Sequence, residues 1–232
     1  MNGVGPEILL SILSKNQFPK NCVPLVYASY KNLERTKKYL SIDCELHLTH
    51  SALELEDSAI NVLDIDADGA TITYGEKNKV MGKLAYRCLA KAVKDLNGEK
   101  IDVLVTAPIN KESIQSKNFS FIGHTDYLNE NIEGSSVMMM VSESLRVALL
   151  SEHLSLSKVA SSITKNLVES RTKSIHKTLQ LDFNIHEPKI AMLSIDPHAG
   201  DNGVIGNIDN MVLAPCIRYM RKEGIMVNGP FP

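Results

Sequence analysis

Apolar runs of strand length alternate along this chain with stretches whose apolar residues recur every three or four positions. Residues 22–29 (CVPLVYAS), 60–66 (INVLDID), 101–108 (IDVLVTAP), 136–142 (SVMMMVS), 145–151 (LRVALLS) and 189–196 (KIAMLSID) predict strands. Several are apolar on both faces, the pattern of a sheet covered by helices on each side. Residues 82–97 place Leu84, Ala85, Cys88, Leu89, Ala92, Val93 and Leu96 on one helical face, and Asn97-Gly98 stops the pattern. A second helix opens after Thr164, with Leu167, Val168, Arg171, Ile175 and Leu179 at helical spacing. Pro6 and Glu7 suit the first turn of a third, which carries Ile8, Leu9, Ile12 and Leu13. Strands alternating with helices predict an α/β architecture with a largely parallel core. The polar stretch NENIEGSS (129–136) is the best place for a boundary, giving lobes 1–128 and 129–232.

Composition narrows the classes. A net charge of −2, with Lys and Arg spread along the chain, leaves no footprint for nucleic acid or an anionic membrane. No run reaches transmembrane length and no signal segment opens the sequence. The four cysteines, Cys22, Cys44, Cys88 and Cys216, form no CxxC pair, so they read as reduced thiols of a cytoplasmic protein. Both ends look abrupt: the glycine-rich turn at NGVGPE has no strand before it, and GIMVNGPFP starts a strand and stops. The expectation is a piece of a longer protein.

Candidate chemistry collects where strands end. In VTAPINKESI (105–114), Asn110 and Lys111 follow a strand, the position where open α/β sheets hold ligands. FIGHTDYL (121–128) sets His124 beside Thr125 after a glycine, a pair able to hold an anionic or hydroxylated ligand. Two further histidines, His153 after LRVALLSE and His198 in DPHAGDNG, each leave an apolar run, and imidazole is the commonest protein ligand for zinc and related ions. His47, His50, His176 and His186 read as surface residues. Gly3 and Gly5 precede a helix start and would let backbone amides approach a phosphate or cofactor, although the full dinucleotide fingerprint is absent.

Taken in order, NGVGPE, TAPINK, GHTDYL, LRVALLSEHLSL and DPHAGDNGVIG resemble the 4-hydroxythreonine-4-phosphate dehydrogenase (PdxA) family over nearly the whole chain. The resemblance implies a two-lobed α/β/α fold like that of isocitrate and isopropylmalate dehydrogenases, paired as a homodimer with the site at the subunit interface. It implies NAD- or NADP-dependent oxidation of 4-phosphohydroxythreonine, then decarboxylation to 3-amino-2-oxopropyl phosphate in pyridoxal phosphate biosynthesis. It assigns His124 and Thr125 to substrate, and His153 and His198 to a divalent metal such as zinc, magnesium or cobalt. The family's third metal histidine and the Lys, Asn and Arg that follow it have no counterpart up to Pro232. Lys111 and Asp201 are positional candidates for catalytic support, and Gly3 and Gly5 for the cofactor. The sequence departs from the family at SEH, where Thr-Thr-His is usual, and in SIDPHAGDNG. The competing readings are a relative acting on another phosphorylated hydroxy acid or a dihydrodiol carboxylate, and a non-catalytic binding relative.

Overall fold

A computed structural model describes residues 2–15, 19 and 21–232. The chain divides after Gly134 into two compact units.

The first unit opens with helix α1 (Gly5–Leu13), which has Pro in its first turn and Glu7 beside the unpaired N–H groups there. Strand β1 (Leu25–Ala28), helix α2 (Tyr30–Tyr39), and strands β2 (Leu46–Thr49) and β3 (Ile60–Asp64) follow. The three strands form a parallel sheet in the order β1-β3-β2, with Val26 opposite Val62 and Leu48 opposite Val62 on the other side. Because side chains alternate along β3, Ile60 and Val62 join a cluster with Leu10, Val26, Leu33 and Leu46, while Leu63 packs with Met81 and Leu84. Helices therefore cover both faces, as the two-sided apolar pattern requires. The buried Asn61 spends its side chain on backbone, accepting from Glu56 N at 2.8 Å and donating to the Glu56 and Pro24 carbonyls at 3.0 and 3.3 Å.

Helix α3 (Lys79–Asn97) is capped by Asn78, whose side chain accepts from Val80 N at 2.7 Å. Asp95 is buried near its far end, and Lys91 Nζ at 2.6 Å and Tyr27 Oη at 3.0 Å satisfy its carboxylate. A buried carboxylate without such partners would be strongly destabilising. Two short helices complete the unit, α4 (Lys111–Ile114) and α5 (His124–Asn131). They rest on an aromatic cluster of Tyr86, Phe119, Phe121 and Tyr127, with Phe119 fully buried.

The second unit contains an antiparallel hairpin, β4 (Met139–Val141) with β5 (Arg146–Ala148), then helices α6 (Leu156–Ser162) and α7 (Lys165–Leu181). Thr164 caps α7 through Leu167 N, as its sequence predicts. Strand β6 (Ile190–Leu193) pairs in parallel with β7 (Val227–Phe231), and a π-helical turn (Asp209–Leu213) leads into α8 (Ala214–Lys222). Val168, Met192, Leu213, Cys216, Met220 and Val227 form the core.

One predicted strand is absent. Residues 101–108 pair with no strand among the described residues, and Val103 and Val105 stand 74% and 87% exposed. An apolar extended run becomes a strand only where a neighbour takes its hydrogen bonds, and none of the described residues supplies one. The hairpin also departs from expectation: Met140 and Val141 are exposed, so those runs are not core strands.

Candidate functional site

In the first unit the chain start is stitched down by Asn2. Its side chain accepts from Thr73 N at 3.2 Å and donates to the Glu76 carbonyl at 3.2 Å, while its own carbonyl accepts from Gly75 N at 3.0 Å. Gly3 faces open space, whereas Gly5 is buried, and a Cβ there would stand 3.1 Å from the Ala107 methyl. The start of α1 is thus held against the segment leading to Lys111.

Asn110 caps α4 by accepting from Ser113 N at 2.9 Å, which fixes Lys111 as the first helical residue. The exposed Lys111 chain lies beside the turn before His124: its Cε is 3.8 Å from where a Cβ on Gly123 would stand. The structure therefore brings Lys111 next to the His124–Thr125 pair. Gly123 caps α5 without a side chain, so the first N–H groups of this helix receive no side-chain cap. His124 is half-buried, and burial alone lowers its pKa, which favours the neutral ring. A neutral imidazole carries one donor and one acceptor, a match for a hydroxyl group. The exposed Lys111 side chain beside this turn carries a positive charge, complementary in chemistry to an anionic group.

In the second unit both candidate metal histidines are exposed and both sit on left-handed backbone, His153 at φ 55° and His198 at φ 54°. For a residue with a Cβ this conformation costs roughly 1–2 kcal/mol, and such outliers concentrate at functional positions. His153 follows β5. Arg171 of α7 donates to the Leu149 carbonyl at 3.2 Å and pairs with Glu152 at 3.4 Å, tying down the residue immediately before His153. The second Glu152 carboxylate oxygen is buried without a partner among the described residues.

His198 begins a longer irregularity. His198, Ala199, Gly200, Asp201, Asn202 and Gly203 all have positive φ, forming a left-handed hook after β6. Two glycines permit its tight return. A Cβ on Gly200 would meet the Gly206 carbonyl oxygen at 2.2 Å, and one on Gly206 would meet Asp196 Oδ2 at 1.9 Å. Asp201 is exposed on the hook, with its carbonyl accepting from Val204 N at 3.1 Å.

Imidazole fits a divalent ion in chemistry, but among the described residues no group of three His, Cys, Asp or Glu side chains converges on one point. The described residues do not complete a metal site.

Three contributors escaped the sequence reading. Asp209, buried with its carboxylate accepting from Ile195 N and Asp196 N just before the hook, lies in GNIDNMVL, where nothing separates it from a helical surface acid. Glu152 showed only as the odd letter in SEH. Arg171 carried the clearest signal, an arginine on an otherwise apolar helical face.

The same fold occurs in solved dehydrogenases. A 4-hydroxythreonine-4-phosphate dehydrogenase from Klebsiella pneumoniae superposes with a TM-score of 0.86 at 26% identity, over all of this chain and 71% of its own. The architecture is the α/β fold of the isocitrate/isopropylmalate dehydrogenase type. The chain belongs to the PdxA family: the model described as "Pyridoxal phosphate biosynthetic protein PdxA" matches residues 20–232. Among curated relatives, a 4-hydroxythreonine-4-phosphate dehydrogenase from Bacteroides thetaiotaomicron is 34% identical over the whole chain and 64% of the relative. A D-threonate 4-phosphate dehydrogenase from Cupriavidus necator is 31% identical over 99% of the chain and 70% of the relative. The chain thus spans about two thirds of the length of these enzymes.

Proposed function

We propose that this chain acts in a nicotinamide-dependent dehydrogenase that oxidises 4-hydroxythreonine 4-phosphate and releases carbon dioxide. The observation that carries the reading is the pairing of Lys111 with the half-buried His124–Thr125 turn, within a chain of this family. Lys111 attracts the anionic substrate, and the neutral His124 and Thr125 orient its hydroxyl groups. His153 and His198 would supply two imidazole ligands for a divalent ion, zinc, magnesium or cobalt, and Asp201 on the hook would accept from the other ring nitrogen of one of them. Such an ion would supply Lewis-acid chemistry, lowering the pKa of an alcohol bound to it and stabilising negative charge beside it. NAD or NADP would supply the hydride acceptor, with exposed Gly3 as the backbone position open to a cofactor phosphate; Gly5, buried against Ala107, is not. Two imidazoles hold an ion weakly, so further ligands are required.

The exposed apolar Met140, Val141 and Leu145 of the hairpin suit the buried face of a homodimer. The four free cysteines suit a reducing cytoplasm, and no helix of the described residues is long and apolar enough to cross a membrane. The phosphate of D-threonate 4-phosphate sits on a different hydroxy acid, and the Cupriavidus relative makes that substrate the second reading.

The test is NADH or NADPH formation with each of the two phosphorylated hydroxy acids and a divalent ion. The ion-dependent rate should be faster with 4-hydroxythreonine 4-phosphate, and His198→Ala should abolish it. A His198→Ala protein that keeps the full ion-dependent rate refutes the assignment. The 232-residue chain by itself should turn over slowly, and robust turnover by it would refute the requirement for further ligands.

A further inference from the structure

The best-ordered chemistry near His198 is not on the hook but behind it. Asp209 is fully buried at the first position of the π-helical turn. Its two carboxylate oxygens accept separate backbone N–H groups, Ile195 at 3.0 Å through Oδ1 and Asp196 at 2.9 Å through Oδ2. These residues are the last before Pro197 and the hook. Charge-assisted bonds of this kind are stronger than neutral ones, and burial sharpens the cost of losing them. The carboxylate of Asp196 in turn fills the space that a Gly206 side chain would need, and the Gly206 carbonyl fills that of Gly200. An unbroken series of contacts therefore runs from Asp209 through Asp196, Gly206 and Gly200 to the turn that begins with His198. π-helical turns inside helices recur at functional sites, where they redirect a side chain. Here the turn directs Asp209 at the end of β6.

We infer that Asp209 is a positioning residue that holds the left-handed hook in place and thereby presents His198. Without it, the four non-glycine residues at positive φ would relax, since each relaxation to right-handed or extended backbone is favourable on its own. The inference deepens the metal-ligand reading of His198 but concerns the hook whether or not an ion binds.

The experiment is amide hydrogen exchange on the full chain without metal, comparing wild type with Asp209→Asn. Ile195 and Asp196 bond to Asp209 directly and would loosen under any role, so the deciding reporters are remote. Val204 N and Ile205 N bond within the hook, to Asp201 and Gly200 at 3.1 Å each. Exchange at Val204 and Ile205 should quicken at least about tenfold while Ile190, on the paired strand, changes by less than about threefold. Unchanged exchange at Val204 and Ile205, or equal acceleration everywhere, overturns the inference. If Asp209→Asn does not fold, Gly206→Ala displaces Asp196 without altering Asp209 and must show the same local loosening. A parallel Co2+ titration, read as paramagnetic broadening of the histidine ring signals, separates the two claims. Broadening at His198 in wild type that weakens about tenfold in Asp209→Asn supports positioning of a ligand. Wild-type broadening that persists unchanged in Asp209→Asn overturns it. No broadening at His198 in wild type removes the metal reading, and the exchange result alone then decides the role of Asp209.

Discussion

Replacing Gly82 by Ala sets two well-known effects against each other. Gly82 lies inside α3, where Ala is ordinarily the better residue by about 1 kcal/mol. Gly82 is buried, however, and a Cβ there would stand 1.9 Å from the Ser113 carbonyl oxygen and 2.3 Å from its carbon. Ordinary contact begins at 3.4 Å, so α4 would have to retreat by about 1.5 Å. Both colliding groups are backbone, and neither can swing aside as a side chain would. Overpacking typically costs about 1–3 kcal/mol, and a rigid collision belongs at the upper end. After the propensity gain, the net loss is about 1–2 kcal/mol. At about 2–4 °C per kcal/mol for a chain of this size, Tm should fall by about 2–8 °C. The matching control is Lys83→Ala, exposed on the same helix and expected within about 0.5 kcal/mol of wild type. Thermal unfolding followed by circular dichroism decides the matter. A Gly82→Ala protein as stable as Lys83→Ala would refute the claim that this glycine exists for close approach. The substitution also moves the segment that carries Asn110 and Lys111, so substrate affinity should fall with stability.

Two other outcomes follow from the titrating groups. Burial depresses the His124 pKa, so the unfolded chain takes up that proton first as pH falls. Its contribution to stability is complete above about pH 6.5 and is lost as pH drops through the folded value. Urea midpoints between pH 7.5 and 5.5 should therefore fall less steeply for His124→Gln, and identical slopes would sink this reading. Burial also pushes the Cys88 thiol up to about 12, and raises that of Cys216, while Cys22 is exposed. A thiol reagent at pH 8 should modify Cys22 quickly, leaving Cys88 and Cys216 for the unfolded chain; equal rates for Cys22 and Cys88 in the folded protein would contradict it.

Local pattern determined a good deal here. The apolar runs at 22–29, 60–66 and 189–196 became β1, β3 and β6, and the helix after Thr164 begins where its capping hydroxyl predicts. These features depend on side-chain period and on hydrogen bonds within a few residues, so a linear string contains them. Helix starts also marked Lys111 and His124, because a helix start is a local event, whereas the strand expected before Lys111 did not form. The pairing of those two residues was not local, since it depends on how α4 and α5 settle on Phe119 and its aromatic neighbours.

Tertiary structure alone decided the rest. Whether 101–108 is a strand depends on a neighbour to accept its hydrogen bonds, which no property of those eight residues can supply. The left-handed run from His198 to Gly203 is unfavourable for its own sequence except at its two glycines. It exists because the flanking residues Asp209, Asp196 and Gly206 fold back onto it and hold its two ends together. Sequence records preference residue by residue, and a strained turn is the place where contacts made only in the folded chain override that preference.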